Sequence, residues 1–188
     1  MPSSTNISTN TNNGIVVGSN ENGTINMLTQ RESILRKLID YIYTKIEDEA
    51  KENLSKYDTQ EYTIEKKISH NCLDEEWEET IYELASYDNA INSALDDAND
   101  EQIAKKSAFL KSMQTYYKKA LKELSIKKDD TESICAKSTE ILECVTSYYT
   151  TLIKENNHDT KEFYDEDCVK ILVAFGFAEC KVLKKPTE

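Results

Sequence analysis

From Leu28 onward the hydrophobic positions recur at three- and four-residue spacing, the pattern of amphipathic helices that each bury one stripe. Leu35, Leu38, Ile39, Ile42, Ile46, Ala50 and Leu54 form the first stripe, and Thr29-Gln30-Arg31-Glu32 has the capping-box form ahead of it. A break follows around Tyr57-Asp58-Thr59, and the segment from Tyr62 to Ile68 fits a short strand or a helical turn equally well. Leu73 to about Ala98 predicts a second helix, with Trp77, Ile81, Leu84, Ala85, Ile91 and Leu95 turned inward. Asn99-Asp100 is a capping pair for a third helix that runs to about Leu124. After the charged turn Lys127-Lys128-Asp129-Asp130, a fourth starts at Asp130 or Thr131 and ends near Asn156-Asn157. A fifth spans about Thr160 to Leu183, with Pro186 as its stop.

The third and fourth helices match each other at an offset of 32 residues. Phe109, Leu110, Met113, Tyr116, Tyr117, Ala120 and Leu121 align with Ile141, Leu142, Val145, Tyr148, Tyr149, Leu152 and Ile153. Each set traces one broad apolar face, so two helices filling equivalent core slots account for the match without an ancestral duplication.

Before residue 28 the pattern is of another kind. Glu21 is the only ionisable side chain there, and Gly14, Gly18 and Gly23 are three of the four glycines of the chain. Ile15-Val16-Val17 and Thr24-Ile25-Asn26-Met27 are β-prone, with the turn-rich run Gly18 to Gly23 between them. The chain therefore divides into an arm at 1–28 and a helical domain at 29–188. The expected fold is mainly α, a bundle of about five helices carrying a short β-hairpin-like arm. A lone hairpin is marginal in water, so such an arm gains stability by pairing with a second copy or with a partner's sheet edge. Ile15, Val16, Val17, Thr24, Ile25 and Met27 are the residues expected to make that contact. The bland alternative for the same residues is an unstructured tail.

Composition narrows the function classes. The chain has 188 residues, enough to bury a core without a metal or disulfide, and a formal charge of −12. That charge opposes a general affinity for phosphate backbones; the short basic pairs Lys105-Lys106, Lys118-Lys119, Lys127-Lys128 and Lys184-Lys185 fit solvated helix faces. The five cysteines include no C-x-x-C pair, and their odd number suits reduced thiols in a cytoplasm. The first residues lack a secretory pattern, and the apolar stretch from Val169 to Ala178 is too short to span a bilayer.

No glycine occurs between Gly23 and Gly176, so neither a phosphate-cradling loop nor a dinucleotide fingerprint nor a G-x-S-x-G elbow can be written there. His70-Asn71-Cys72 sets a base near a thiol, but residues two apart on a helix face different ways. Cys144, Cys168 and Cys180 read as small core residues. A zinc set of His70, Cys72, Cys168 and Cys180 has no common structural spacing. The acidic runs Asp74 to Glu79 and Asp165 to Asp167 suit the first turns of helices, where negative charge complements the macrodipole. Of the eleven tyrosines, most suit the core margin and the rest an interface. The residues thus assign no cofactor, no metal and no catalytic group.

Tyr62 to Leu73 follows an I-x-x-K-I-x-x-N-x-L kind of pattern, followed by a helix with Ile81 and Tyr87, then Lys106-x-x-x-Leu110 and a tyrosine-bearing helix. With the closing segments Cys168 to Val173 and Cys180 to Pro186, and the arm from Asn13 to Asn26, residues 13–188 resemble the C-terminal domain family of prokaryotic ABC-three-component conflict systems. The resemblance implies an accessory in an antiviral defence system, beside an ABC or SMC-like ATPase and a middle component. Family members often carry an effector domain ahead of this region; here the short arm stands there, and no active-site residues carry over. The expected function is a non-enzymatic adaptor that self-associates, docks proteins and is cytoplasmic. The alternatives are an inhibitor or sensor of a foreign protein, and a thiol- or metal-dependent enzyme.

Overall fold

The computed structural model describes residues 24–50, 63–96, 102–154, 164–179 and 182–184. Eight helices and no strand are present among them: α1 (Thr24–Ala50), α2 (Ile64–Asn71), α3 (Glu75–Leu84), α4 (Asp88–Leu95), α5 (Gln102–Glu123), α6 (Thr131–Ala136), α7 (Ser138–Lys154) and α8 (Glu166–Ala178). The mainly helical expectation holds, but the chain is cut more finely than five helices.

α1 is the spine. Its stripe of Leu35, Leu38, Ile39, Ile42 and Ile46 is buried, and the helix packs against α4, α5, α7 and α8. Each such aliphatic side chain contributes about 1.5–3 kcal/mol on burial. α1 starts at Thr24, so Thr29 lies inside the helix and is not its cap. The second β-prone segment, Thr24 to Met27, is likewise the opening turn of α1 and not a hairpin strand. The first, Ile15 to Val17, lies outside the described residues, as does Leu54.

The ambiguous segment is helical from Ile64 on: Thr63 caps α2 by accepting the Lys66 amide, and Tyr62 lies outside the described residues. The single helix expected over 73–98 is two. Ala85, Ser86 and Tyr87 donate to the carbonyls of Tyr82, Glu83 and Leu84, three residues back, which tightens the chain and ends α3. The change of phase turns Tyr87 into the core in place of Ala85, which is exposed. Asp74 caps α3 through the Trp77 amide, and Asp130 caps α6 through the Ser133 amide and hydroxyl. A non-helical Lys137 then separates α6 from α7.

The two matched faces of α5 and α7 do fill equivalent slots. Phe109, Leu110, Met113, Tyr117, Ala120 and Leu121 are buried, as are Ile141, Leu142, Val145, Tyr149 and Ile153; Tyr116, Tyr148 and Leu152 lie at the margin. α8 is apolar nearly all round, from Cys168 to Phe177, because it is enclosed by α1, α3, α5 and α7. No described helix is long and apolar enough to cross a membrane.

Candidate functional site

Seven residues into α1, about two helical turns beyond the start of the helix, Arg31 ties three helices together. Its guanidinium donates to Glu83 Oε1 on α3 at 2.6 Å and to Asp167 Oδ2 on α8 at 2.9 Å. Burial pushes the pKa of the Tyr87 hydroxyl up, against the pull of the Arg31 guanidinium. Both carboxylates belong to the wall of a cleft of about 230 Å³ between α3 and α8, lined by Glu76, Glu79, Thr80, Glu83, Asp167 and Lys170.

Helical spacing builds this cleft. Glu76, Glu79, Thr80 and Glu83 follow i, i+3, i+4, i+7 and so share one face of α3, while Trp77, Ile81 and Leu84 fill the core from the other. Asp167 and Lys170 stand three apart on α8, and Lys170 Nζ donates to Glu76 Oε1 at 2.6 Å, which raises the lysine's pKa. Asp165 caps α8 by accepting the Asp167 and Cys168 amides, and Glu166 and Asp167 occupy the first turn, as expected of that acidic run. Four carboxylates against one ammonium leave the lining negative, a surface that attracts cationic groups. No group of three or more histidines, cysteines and carboxylates placed to hold a metal ion occurs among the described residues.

Thr24, Ile25 and Met27 lie on the first turn of α1, ahead of Arg31 in the same helix. Ile15, Val16 and Val17 lie outside the described residues. Sequence reasoning did not find the cleft, because its ion pairs join residues 52, 136 and 94 positions apart. The i, i+3, i+4, i+7 spacing of polar residues on α3 was the one available signal.

The cysteines correct another expectation. Cys72 and Cys135 are joined in a disulfide, with their Cα atoms 5.2 Å apart, whereas reduced thiols were expected. This bond takes Cys72 from both the zinc set and the His70 pair. Cys168 is free and buried, with its thiol pKa pushed up to about 12 by burial; Cys180 lies outside the described residues.

The tyrosine pairs serve packing between α5 and α7. Tyr116 stacks on Tyr148 at 5.5 Å and meets Tyr149 edge-on at 4.8 Å, and Phe109 lies 6.2 Å from Tyr149. Several lysines from the basic pairs are engaged within the fold: Lys105 with Asp40 and the Ala94 carbonyl, Lys106 with Asn92 and Glu179, and Lys184 with Asp129. Comparison with protein-family models, curated proteins and solved structures returns no match.

Proposed function

We propose that the chain is a non-enzymatic, cytoplasmic adaptor that self-associates and docks partner proteins, as an accessory of a prokaryotic antiviral defence system. The class of partner, an ABC or SMC-like ATPase with a middle component, comes from the sequence resemblance. The supporting observation is that the β-prone arm sequence, with Glu21 its one charged side chain before residue 28, runs directly into α1, and that α1 is bound through Arg31 to α3 and α8 beside an acidic cleft. A contact made by the arm is thereby connected to the bundle through a fixed helix, which suits an adaptor.

The solution mass of the full chain, compared with that of a chain beginning at Thr24, tests the reading. Cutting there leaves α1 whole. A dimer or larger species that becomes a monomer on truncation is expected. A monomer in both cases removes self-association, and a dimer in both moves the contact off residues 1–23. Affinity purification from the native host separates the adaptor from an inhibitor or sensor: a cognate ATPase is expected, and a foreign protein alone favours the alternative.

A further inference from the structure

Eight residues are too few for α2 to hold helical form on its own, so ties at its C-terminal end must fix it. Asn71 is 1% exposed, and its side chain is fully used. Nδ2 donates to the Lys67 carbonyl at 2.8 Å and to the Lys184 carbonyl at 2.9 Å, while Oδ1 accepts the Lys184 amide at 2.9 Å. One side-chain amide thus takes both backbone groups of Lys184, as a neighbouring strand would. Lys67 Nζ donates to the carbonyl of Ala178, where α8 ends. The Asn71 bonds hold segment 182–184 on α2, with Val182 and Leu183 buried, and the Lys67 bond holds the end of α8 to the same helix.

The residue after Asn71 is Cys72, bonded to Cys135 on α6, and Ser138 Oγ donates to the Cys72 carbonyl at 3.3 Å. Both ends of the assembly are conformationally costly. Cys72 (φ 53°) and Leu183 (φ 63°) occupy the left-handed region, which a side chain disfavours unless its surroundings enforce it. Cys72 is exposed and Cys135 half-buried, so a small thiol can reach the bond.

We propose that the Cys72–Cys135 disulfide is a redox latch for the C-terminal segment. A thiol or dithiol reductant supplies a thiolate that attacks the exposed Cys72 sulfur; the Cys135 sulfur leaves as thiolate and takes up a proton. A second reductant thiol resolves the mixed disulfide and frees Cys72. Two electrons pass to the protein, and the reductant becomes its own disulfide. With the covalent tie gone, the C-terminal end of α2 loosens, the Asn71 clamp on Lys184 opens, and Val182 and Leu183 are uncovered.

Hydrogen exchange read by mass spectrometry on the full chain tests the latch, with thiol alkylation before and after dithiothreitol. Protein purified without reductant is expected to resist alkylation at Cys72 and Cys135. Reduction is expected to speed exchange about tenfold or more in peptides covering 64–71 and 182–184, while α5 and α7 keep their protection. Cys135→Ser should give the fast exchange without any response to dithiothreitol. Asn71→Ala should free 182–184 while the disulfide stays intact and reducible. Four results overturn the proposal: both thiols alkylated before reduction, unchanged exchange at 182–184 on reduction, continued protection there in either variant, or loss of α5 and α7 protection together with α2. The last would make the bond a staple for the whole fold.

Discussion

Gly176 on α8 faces Met113 on α5 so closely that a Cβ at 176 would lie 3.0 Å from Met113 Sδ and 3.1 Å from its Cγ. Val182 Cγ2 closes the same space at 3.4 Å. This is why the one glycine outside the N-terminal arm sits inside a buried helix, where alanine would otherwise be favoured by about 1 kcal/mol. Met113 is fully buried, so it can give way only by displacing the close-packed side chains around it. Gly176→Ala is therefore expected to lower stability by about 1 kcal/mol, overpacking outweighing the gain in helix propensity. Urea unfolding of Gly176→Ala, Met113→Ala and the double variant checks this. The double variant should lose clearly less than the two single losses together, and simple additivity would rule out the contact as the cause.

Arg31 is the second point of close dependence. Removing it leaves Glu83 and Asp167 without their shared counter-charge at the junction of α3 and α8. Because the pairs are partly exposed, the expected loss for Arg31→Ala is about 1 kcal/mol, and less at high salt. Arg31→Lys is expected to restore only part of it, since one ammonium lacks the planar fork that serves two carboxylates. Thermal unfolding at low and at 0.5 M added salt reads both effects, the salt level being chosen to bring the screening length to about 4–5 Å. Equal losses at both salt levels would show that packing of the arginine stem, and not its charge, supplies the stability.

The helical stripes were legible because burial is periodic. Leu35 to Ile46 and the paired faces of α5 and α7 are buried where spacing alone placed them. The start of α6 at Asp130 was legible for a local reason, a short acceptor beside free amides, whereas Asp74 reads as part of an acidic first turn and proves to be the cap of α3. Thr24 to Met27 misled because β-propensity is a weak prior that continuation of a packed helix overrides. The bend at Ala85 to Tyr87 leaves no mark in a hydrophobic pattern that tolerates either phase. Cys72 and Cys135 are 63 residues apart, and Arg31 is 52 from Glu83 and 136 from Asp167, so only the tertiary fold could pair them.

Alkaline pH should destabilise the protein in a defined window. Burial pushes the Tyr117 hydroxyl from an ordinary value of 10.0 up to about 12, and its oxygen has no hydrogen-bond partner among the described residues. A hydrogen bond to Glu123, then burial, takes Tyr148 up to about 12 as well. The native state keeps protons that the unfolded chain releases, so stability is whole below pH 10 and drains as pH rises toward 12. Tyr117 alone accounts for a loss on the order of 2 kcal/mol across that window. Tyr117→Phe is expected to be neutral or slightly stabilising at pH 7, because it removes an unbonded buried hydroxyl, and to flatten the alkaline loss. Urea midpoints at pH 7, 9.5 and 11 measure this, and an unchanged slope in the variant would exclude Tyr117 as a source.

Thiol reactivity should divide the two free cysteines of the described fold. Cys168 is fully buried at the start of α8 beneath α1, and burial raises its thiol pKa to about 12, so almost no thiolate exists at neutral pH. Cys144 is half-buried on α7, and burial followed by the nearby Glu123, Glu140 and Glu143 carboxylates also raises its pKa. Negative charge further repels anionic reagents, so a neutral maleimide is the suitable probe. Under native conditions Cys144 is expected to label slowly and Cys168 only through opening of the bundle. In increasing urea the Cys168 rate should follow global unfolding, while Cys144 should respond earlier. Site-resolved mass spectrometry gives both rates. Fast labelling of Cys168 in native protein would mean that α8 opens locally, and would put the Arg31 junction, not the core, in control of that end of the fold.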